Sequence, residues 1–221
     1  MSARDDIFAR LRSTLDAGGA LDRRRAAVAS RLAEPPRIAL MGRVQNVDLV
    51  ETFKTRAGEL GVTLSHVASM SDLGPAVAAY LRAQNLGATA KISPELAALN
   101  LAWPGTLDVT AGGTDGDDPV GVALARAGVA ETGTVVMASG PHSPTKLNYL
   151  PESHIVVLAA QTIVASYEQG MDIARGRTGD LLPRTINWIS GPSRTADIEQ
   201  TILVGVHGPK RIHIVIVDDL P

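Results

Sequence analysis

The stretch Arg-Ile-His-Ile-Val-Ile-Val, residues 211–217, is almost continuously apolar and rich in β-branched side chains. A short run of this kind is typical of a strand that is buried on both faces, as strands are in parallel sheets covered by helices. The run Ile-Val-Val-Leu-Ala-Ala, residues 155–160, has the same character and predicts a second buried strand over residues 154–159. We therefore expect a parallel sheet at the centre of the fold.

Strands and helices alternate on the N-terminal side of these runs. The pattern predicts strands at residues 37–42, 62–68, 88–92 and 107–110, and helices at 46–60 and 72–84. A further helix is expected after Ser93-Pro94-Glu95, with Ser93 as its cap. Later residues predict strands at 120–125, 134–138 and 185–190 and helices at 164–171 and 196–204. This order favours an α/β fold with a mostly parallel sheet and helices on both faces.

The first 34 residues have a different pattern of apolar residues, which is helical throughout. Ile7, Leu11 and Leu15 recur at helical spacing, residues 21–33 predict a second helix, and Pro35-Pro36 ends it. We expect a helical N-terminal extension over residues 1–34 and an α/β domain over residues 35–221.

Composition excludes several classes of function. The 221 residues carry 21 Lys and Arg against 23 Asp and Glu, and the few aromatic residues are scattered. A net charge of −2 argues against a partner that is a nucleic acid or an anionic membrane. The chain has no cysteine, which excludes disulfides, Cys-based zinc sites, Cys-ligated iron–sulfur clusters and a Cys nucleophile.

Targeting signals are not expected either. No apolar run approaches the ~20 residues of a membrane span, and the charged start of the sequence does not read as a secretory signal. We expect a cytoplasmic protein without a membrane span.

Three polar loops follow predicted strands, where ligands bind in open α/β sheets. The first, residues 111–118, contains Asp115, Asp117 and Asp118 but lacks the distal Glu of a calcium loop, so we favour a surface loop and expect no metal.

The second loop is Ala130-Glu131-Thr132-Gly133-Thr134. Glu131 has the chemistry of a nucleophile, an acid or base, or a ligand anchor, and it is the candidate catalytic residue. Thr132, Gly133 and Thr134 are candidates for substrate binding, because Gly133 lets a ligand approach the backbone closely. The alternative is a tight turn in which Glu131 accepts backbone N–H bonds.

The third loop runs from Ser190 to Glu199 and is expected to enter the helix at 196–204. Arg194 has the geometry to clamp a carboxylate, whereas acidic residues in a first helical turn would repel a phosphate. A small carboxylate is therefore the expected ligand. Alternatively, Ser193 or Thr195 caps the helix and His207 lies at its C-terminus in a structural role. The candidate binding residues are Gly191, Ser193, Arg194, Asp197, Glu199 and His207.

The order of these motifs is more specific than any one of them. The Glu131–Thr134 segment is followed by Gly-Pro-Ser-Arg-Thr-Ala-Asp-Ile-Glu at residues 191–199 and by Gly-Val-His-Gly-Pro at residues 205–209. This arrangement resembles the LUD (lactate utilization) domain family, and within it the LutC-like proteins.

The resemblance implies a three-layer α/β/α fold like that shared by glucosamine-6-phosphate isomerases (NagB), ribose-5-phosphate isomerases (RpiA) and CoA transferases. It also implies a role in oxidising L-lactate to pyruvate together with LutA-like and LutB-like partners that carry iron–sulfur motifs. A chain without cysteine is then the subunit without clusters, and no cofactor of its own is expected.

Two other functions stay open. The chain is a non-catalytic assembly subunit that docks through its N-terminal helices, or it is a stand-alone acyl or CoA transferase that uses Glu131, as related folds use a Glu nucleophile.

Overall fold

The computed structural model describes residues 3–15, 19–34, 47–176, 182–198 and 201–220. The chain divides into two compact units, residues 1–41 and 42–221. The described part of the first unit consists of helices α1 (Ala3–Leu15) and α2 (Ala20–Ala33), as the apolar spacing predicts. Pro35-Pro36 and the strand predicted at 37–42 lie outside the described residues.

The second unit alternates strands and helices. Its elements in chain order are α3 (Leu49–Glu59), β1 (Thr63–Ser69), α4 (Leu73–Ala83), β2 (Thr89–Ile92), α5 (Pro94–Ala97), β3 (Asp108–Ala111), β4 (Val120–Leu124), β5 (Ala127–Val129), β6 (Thr134–Ala138), β7 (Ser153–Ala159), β8 (Ile163–Val164), α6 (Tyr167–Gly176), β9 (Ile186–Ile189), β10 (Arg194–Ile198), β11 (Thr201–Val204) and β12 (Arg211–Asp219).

A six-stranded parallel sheet forms the centre of this unit. Its order is β1-β12-β7-β4-β2-β3, and every neighbouring pair is parallel. The two apolar runs of the sequence are β12 and β7, which lie side by side with Ile214 opposite Val156. The predicted parallel sheet is therefore confirmed.

Alternate side chains of β12 enter different cores because successive residues of a strand point to opposite faces. Val215 and Val217 pack with residues of α4 on one face. Ile214 and Ile216 pack on the other face with residues of α3 and β6. Helices thus flank the sheet on both sides, as expected for an α/β/α arrangement.

A second sheet, not expected from the sequence, lies on the α3 side. It has the order β8-β5-β6-β9, in which β5–β6 and β6–β9 are antiparallel. One face contributes Val135 and Met137 to the core shared with α3. The other packs Val129 and Val136 with Ala174 of α6.

The predicted helix at residues 196–204 is wrong. β10 and β11 instead form an antiparallel hairpin with Arg194 opposite Val204 and Ile198 opposite Thr201. The segment is rich in β-branched residues, which lose rotamer freedom in helices and fit strands. Ser193 and Thr195 therefore cap no helix, Asp197 does not lie in a helical first turn, and His207 does not end a helix.

The helix predicted at 164–171 begins later than expected. Ile163 and Val164 form β8, and α6 starts at Tyr167. The side-chain oxygen of Gln169 accepts hydrogen bonds from the N–H groups of Ala165 and Ser166 at this start. These bonds satisfy backbone donors where the chain turns from the strand into the helix.

Candidate functional site

The segment Glu131–Thr134 is the turn of the β5–β6 hairpin. Gly133 has φ +65°, and a Cβ at this position would lie 2.3 Å from the backbone N of Ala57 in α3. Glycine is required here because it allows both the left-handed conformation and the close approach of a helix. The absence of a side chain at Gly133 thus lets α3 pack closely against this turn.

Four hydroxyl groups meet beside this turn and are called the hydroxyl cluster: Thr132, Thr134, Tyr167 and Ser190. The buried Thr134 hydroxyl lies 2.7 Å from that of Thr132, 2.9 Å from that of Tyr167 and 2.7 Å from that of Ser190. Thr132 also donates to Tyr167 over 3.2 Å. The cluster therefore ties together β6, the start of α6 and the end of β9.

Tyr167 was not found by the sequence reasoning. Burial raises the pKa of its phenol, but hydrogen bonds with the three neighbouring hydroxyls outweigh this effect and bring the pKa below its ordinary value of 10.0. The nearby charge of Glu131 acts to raise it. No local sequence pattern marks Tyr167, since its partners lie 33 to 35 positions before it and in the loop after β9.

Glu131 lies half-buried at the same turn. Its backbone N–H donates to the carbonyl of Ala165 over 3.3 Å, which joins the turn to the segment before α6. The charge of its carboxylate acts on the Tyr167 phenol.

The loop after β9 borders a cavity of about 230 Å³, which we call the Asn148 cavity. Its walls include the predicted site residues Gly191, Ser193 and His207, together with Ser190 and the buried Asn148. Gly191 has φ +90°, and a Cβ there would lie 3.1 Å from the carbonyl oxygen of Leu60. The N–H of Ser193 donates to Pro209, so the segments before β10 and β12 are held together.

Ser190 connects this cavity to the hydroxyl cluster. It lines the cavity and also contacts Thr134. Trp188 lines the cavity too, and its ring lies 5.0 Å from the ring of Tyr167. Thr134 therefore contacts a residue of the cavity wall, whereas Glu131, Thr132 and Thr134 are not themselves among the residues that line the cavity.

Arg194 reaches the end of α3. Its guanidinium donates to the carbonyl of Leu60, the C-cap residue, over 3.1 Å. A cation at a helix C-terminus satisfies a carbonyl and interacts favourably with the helix dipole. The planar guanidinium has five N–H donors, so this bond leaves others for a ligand.

A larger cavity of about 630 Å³ shares His207 and Tyr149 with the Asn148 cavity. Its walls include Asp117 and Asp118 of the first polar loop as well as Glu152. Lys210 lies 3.3 Å and Arg211 3.1 Å from Glu152, and the hydrogen bond from Lys210 is the main cause of the lowered pKa of this carboxyl. Glu152 and Lys210 of this cavity are thus paired with each other, and Asp118 lies 3.6 Å from Lys91, which is not among the lining residues.

Less can be said about Asp197 and Glu199, the other two predicted site residues. Asp197 lies in β10, and Glu199 lies outside the described residues. Among the described residues, no group of three or more His, Cys, Asp or Glu side chains is arranged to hold a metal ion. No helix within these described ranges is long and apolar enough to cross a membrane.

Known proteins resemble residues 118–217, the part of the chain that contains these side chains. The LUD domain family model matches residues 118–217. Lactate utilization protein C 1 of Bacillus mycoides is 38% identical over 102 residues, which cover 45% of this chain and 44% of that protein. Lactate utilization protein C of Shouchella clausii is 40% identical over 101 residues, again 45% and 44% of the two chains. The match thus spans less than half the length of these curated relatives.

A solved structure shares the fold. The crystal structure of a DUF162 family protein from Deinococcus radiodurans superposes with a TM-score of 0.58 at 20% identity, covering 79% of this chain and 99% of that one. The matched residues 118–217 contain the β5–β6 turn, the hydroxyl cluster and the predicted site residues of the Asn148 cavity. Residues 118–217 therefore match the LUD domain family model, and over this part the chain is similar to lactate utilization protein C.

Proposed function

We propose that this chain is a LutC-like component of an L-lactate utilization system and that it binds a small carboxylate in the Asn148 cavity. The observation that carries the proposal is the meeting of Gly191, Ser193 and His207, three predicted binding residues, around one cavity within the LUD domain. A volume of about 230 Å³ exceeds the ~30 Å³ share of one water in the liquid several times, so it has room for an acid of six non-hydrogen atoms.

The polar groups of the wall suit a carboxylate. Ser190 and Ser193 carry hydroxyl donors, and the ring of His207 adds a donor at the exposed rim. Arg194 follows Ser193 directly but is not among the residues that line the cavity, and its guanidinium donates to Leu60 at the end of α3. Such donors bind a small organic acid without the dense positive charge that a polyphosphate needs.

The chain needs partners for the redox step. Oxidation of L-lactate to pyruvate releases two electrons and two protons, and a chain without cysteine has no ligands for a Cys-bound iron–sulfur cluster. We assign the electrons to LutA-like and LutB-like iron–sulfur partners. In this scheme the present chain holds the acid, and the partners take the electrons.

Reconstitution tests this proposal. The partners are purified with intact clusters, and their reduction by L-lactate is followed by absorbance with and without this chain. Reduction that depends on the chain supports the proposal. Equal rates without the chain would contradict it.

The Arg194 clamp is tested within the same assay. Arg194→Ala is expected to raise the lactate concentration for half-maximal rate about tenfold, the usual effect of losing a charged hydrogen bond. Arg82→Ala, which removes an exposed arginine of α4, serves as the matched control. An unchanged lactate dependence in Arg194→Ala rules out the clamp.

An assembly role is the second candidate, and the first unit of the chain supports it. Apolar side chains of α1 and α2 are exposed, and a groove of about 500 Å³ runs between Leu15 and residues of α2. Exposed apolar surface of this kind marks an interaction site. The exposed apolar residues are Ile7, Phe8, Leu11, Leu15, Val28 and Leu32.

Deletion of residues 1–34 tests the assembly role. We expect the shortened chain to lose co-purification with the iron–sulfur partners while its circular dichroism and melting temperature stay close to those of the full chain. Retained co-purification would remove the basis for docking through these helices.

A further inference from the structure

The central sheet has a topological switch point between β2 and β4. These two parallel strands are neighbours, with Ile92 opposite Val122. From β2 the chain continues to β3 on one side, whereas from β4 it continues through β5 and β6 to β7 on the other side. In open α/β sheets, ligands bind in the crevice at the carboxyl ends of strands that diverge in this way. The side chains that follow these two strands are therefore candidates for a ligand site.

An ion pair joins the two segments at this edge of the sheet. Glu95 lies in α5, three residues after the end of β2, and Arg126 lies two residues after the end of β4. The Nη1 atom of Arg126 is 2.6 Å from Oε1 of Glu95, and the two side chains are only 16% and 23% exposed. The backbone N–H of Glu95 also donates to the carbonyl of His142, which holds the loop after β6 at the same edge. Arg126 is thus fixed in position at the switch point.

The pair uses only part of the hydrogen-bonding capacity of Arg126. Arg–carboxylate pairs frequently make two parallel hydrogen bonds. Here Oε1 alone accepts, since Oε2 of Glu95 has no hydrogen-bond partner among the described residues. The Nε and Nη2 groups of Arg126 also have no bond to the described residues, but they are not among the atoms shielded from solvent. N–H donors of the guanidinium therefore remain within reach of a ligand.

We propose that Arg126 binds an oxyanion, as a carboxylate or a phosphoryl group, at this switch point, and that Glu95 positions its guanidinium. A planar guanidinium binds both kinds of group through parallel N–H donors. A largely buried ion pair is a weak source of stability, because both charges lose their hydration, so positioning for a ligand accounts for the pair better than stability does.

This site is separate from the Asn148 cavity. That cavity is lined by Ile212, the second residue of β12, and so lies at the amino ends of the parallel strands. Arg126 and Glu95 follow the carboxyl ends of β4 and β2, at the opposite edge of the sheet. The inference therefore goes beyond the proposed function and is tested independently of it.

Glu95 also limits how strongly an anion binds. Its charge offsets that of Arg126, so hydrogen bonds rather than net charge hold the ligand. We expect Glu95→Gln, which keeps an oxygen acceptor for Arg126, to tighten oxyanion binding about fivefold, the effect of removing one like charge from a hydrated site. If the pair were purely structural, Glu95→Gln would change the melting temperature and leave anion binding unaltered.

NMR of the isotope-labelled full chain tests the site directly, because each arginine gives its own Nε–Hε signal. The Arg126 signal is identified by backbone assignment and by its loss in Arg126→Lys, which keeps a cation for Glu95 but lacks the planar fork. Pyruvate, L-lactate and inorganic phosphate are added separately at an ionic strength held constant with chloride. We expect a saturable shift of the Arg126 signal, with the organic acids if the group is a carboxylate and with phosphate if it is a phosphoryl group.

Calorimetric titration with the anion that shifts this signal measures the contribution of Arg126. We expect Arg126→Lys to weaken binding about tenfold and to keep a melting temperature close to that of the unmodified chain. Arg82→Lys, at an exposed position of α4, is the matched control and should leave the affinity unchanged. No saturable shift of the Arg126 signal with any of the three anions, or equal affinities in Arg126→Lys and the unmodified chain, would overturn this site and leave the Asn148 cavity untouched.

Discussion

Gly133 determines how closely the β5–β6 turn and α3 pack. A Cβ at this position would overlap the backbone of Ala57, and φ is +65°. We expect Gly133→Ala to lower the free energy of unfolding by about 3 kcal/mol, because overpacking and left-handed strain add. Gly58→Ala is the control, since Gly58 is an exposed residue of α3 with open space around it and should gain about 0.5–1 kcal/mol. Urea unfolding measures both, and a neutral Gly133→Ala would contradict the packing.

Thr134 has the most contacts within the hydroxyl cluster. It is completely buried and contacts three hydroxyl groups. We expect Thr134→Val to cost about 1–3 kcal/mol, as it leaves buried partners unsatisfied. Thr55→Val on the exposed side of α3 should cost about 0.5 kcal/mol or less.

The pKa of Tyr167 should rise in Thr134→Val, because a hydrogen bond that lowers this pKa is lost. An ultraviolet pH titration that shows no rise would argue against the cluster.

The sequence points to single residues only where they stand in polar loops. Glu131, Thr132 and Thr134 are candidates because they are adjacent and polar, Ser193 and His207 are candidates because their loops are polar, and these assignments stay predictions. Tyr167 was missed, since its hydroxyl partners are brought near only by tertiary contacts.

At the scale of elements, α3 begins with a capping residue. The Asp48 carboxylate accepts hydrogen bonds from the N–H groups of Val50 and Glu51. We expect Asp48→Ala to lower the free energy of unfolding by about 1 kcal/mol. The control is Asp72→Ala, because Asp72 precedes α4 without capping it. Equal losses in urea unfolding of the two variants would show that capping is not the cause.

Most elements followed from the hydrophobic pattern, but β5, β8 and the hairpin of β10 and β11 did not. The central parallel strands β12, β7 and β4 are apolar runs, so their positions were clear from the sequence. The hairpin of β10 and β11 was taken for a helix because Asp197 and Glu199 resemble the acidic first turn of one. The β-branched residues Thr195, Ile198 and Thr201 favour strands over a helix in this segment.

At the scale of the whole molecule, two buried histidines link stability to pH. Burial lowers the pKa of His154 to about 4, and burial likewise lowers that of His213 to about 4 against a smaller opposing bond to Thr63. The unfolded chain takes up these protons near pH 6.5, so stability is present above that pH and falls as the pH drops from 6.5 towards 4. At pH 5 the loss is about 2 kcal/mol for each histidine.

His154→Leu tests this linkage. We expect the fall in unfolding free energy between pH 7 and pH 5 to shrink by about 2 kcal/mol in the variant. His142→Leu, at an exposed position, should leave the fall unchanged. If His154→Leu retained the full pH dependence, His154 would not be the group that titrates.

A thermal-shift titration of the purified chain shows whether this chain has its own site for a small carboxylate, as we propose. L-lactate, pyruvate, CoA and acetyl-CoA are added separately, because a ligand that binds the native state raises its melting temperature by mass action. We expect a saturable rise with L-lactate that Ser193→Ala diminishes. No shift with L-lactate or pyruvate would contradict a carboxylate site and favour the assembly role, and a shift with CoA or acetyl-CoA alone would favour the transferase.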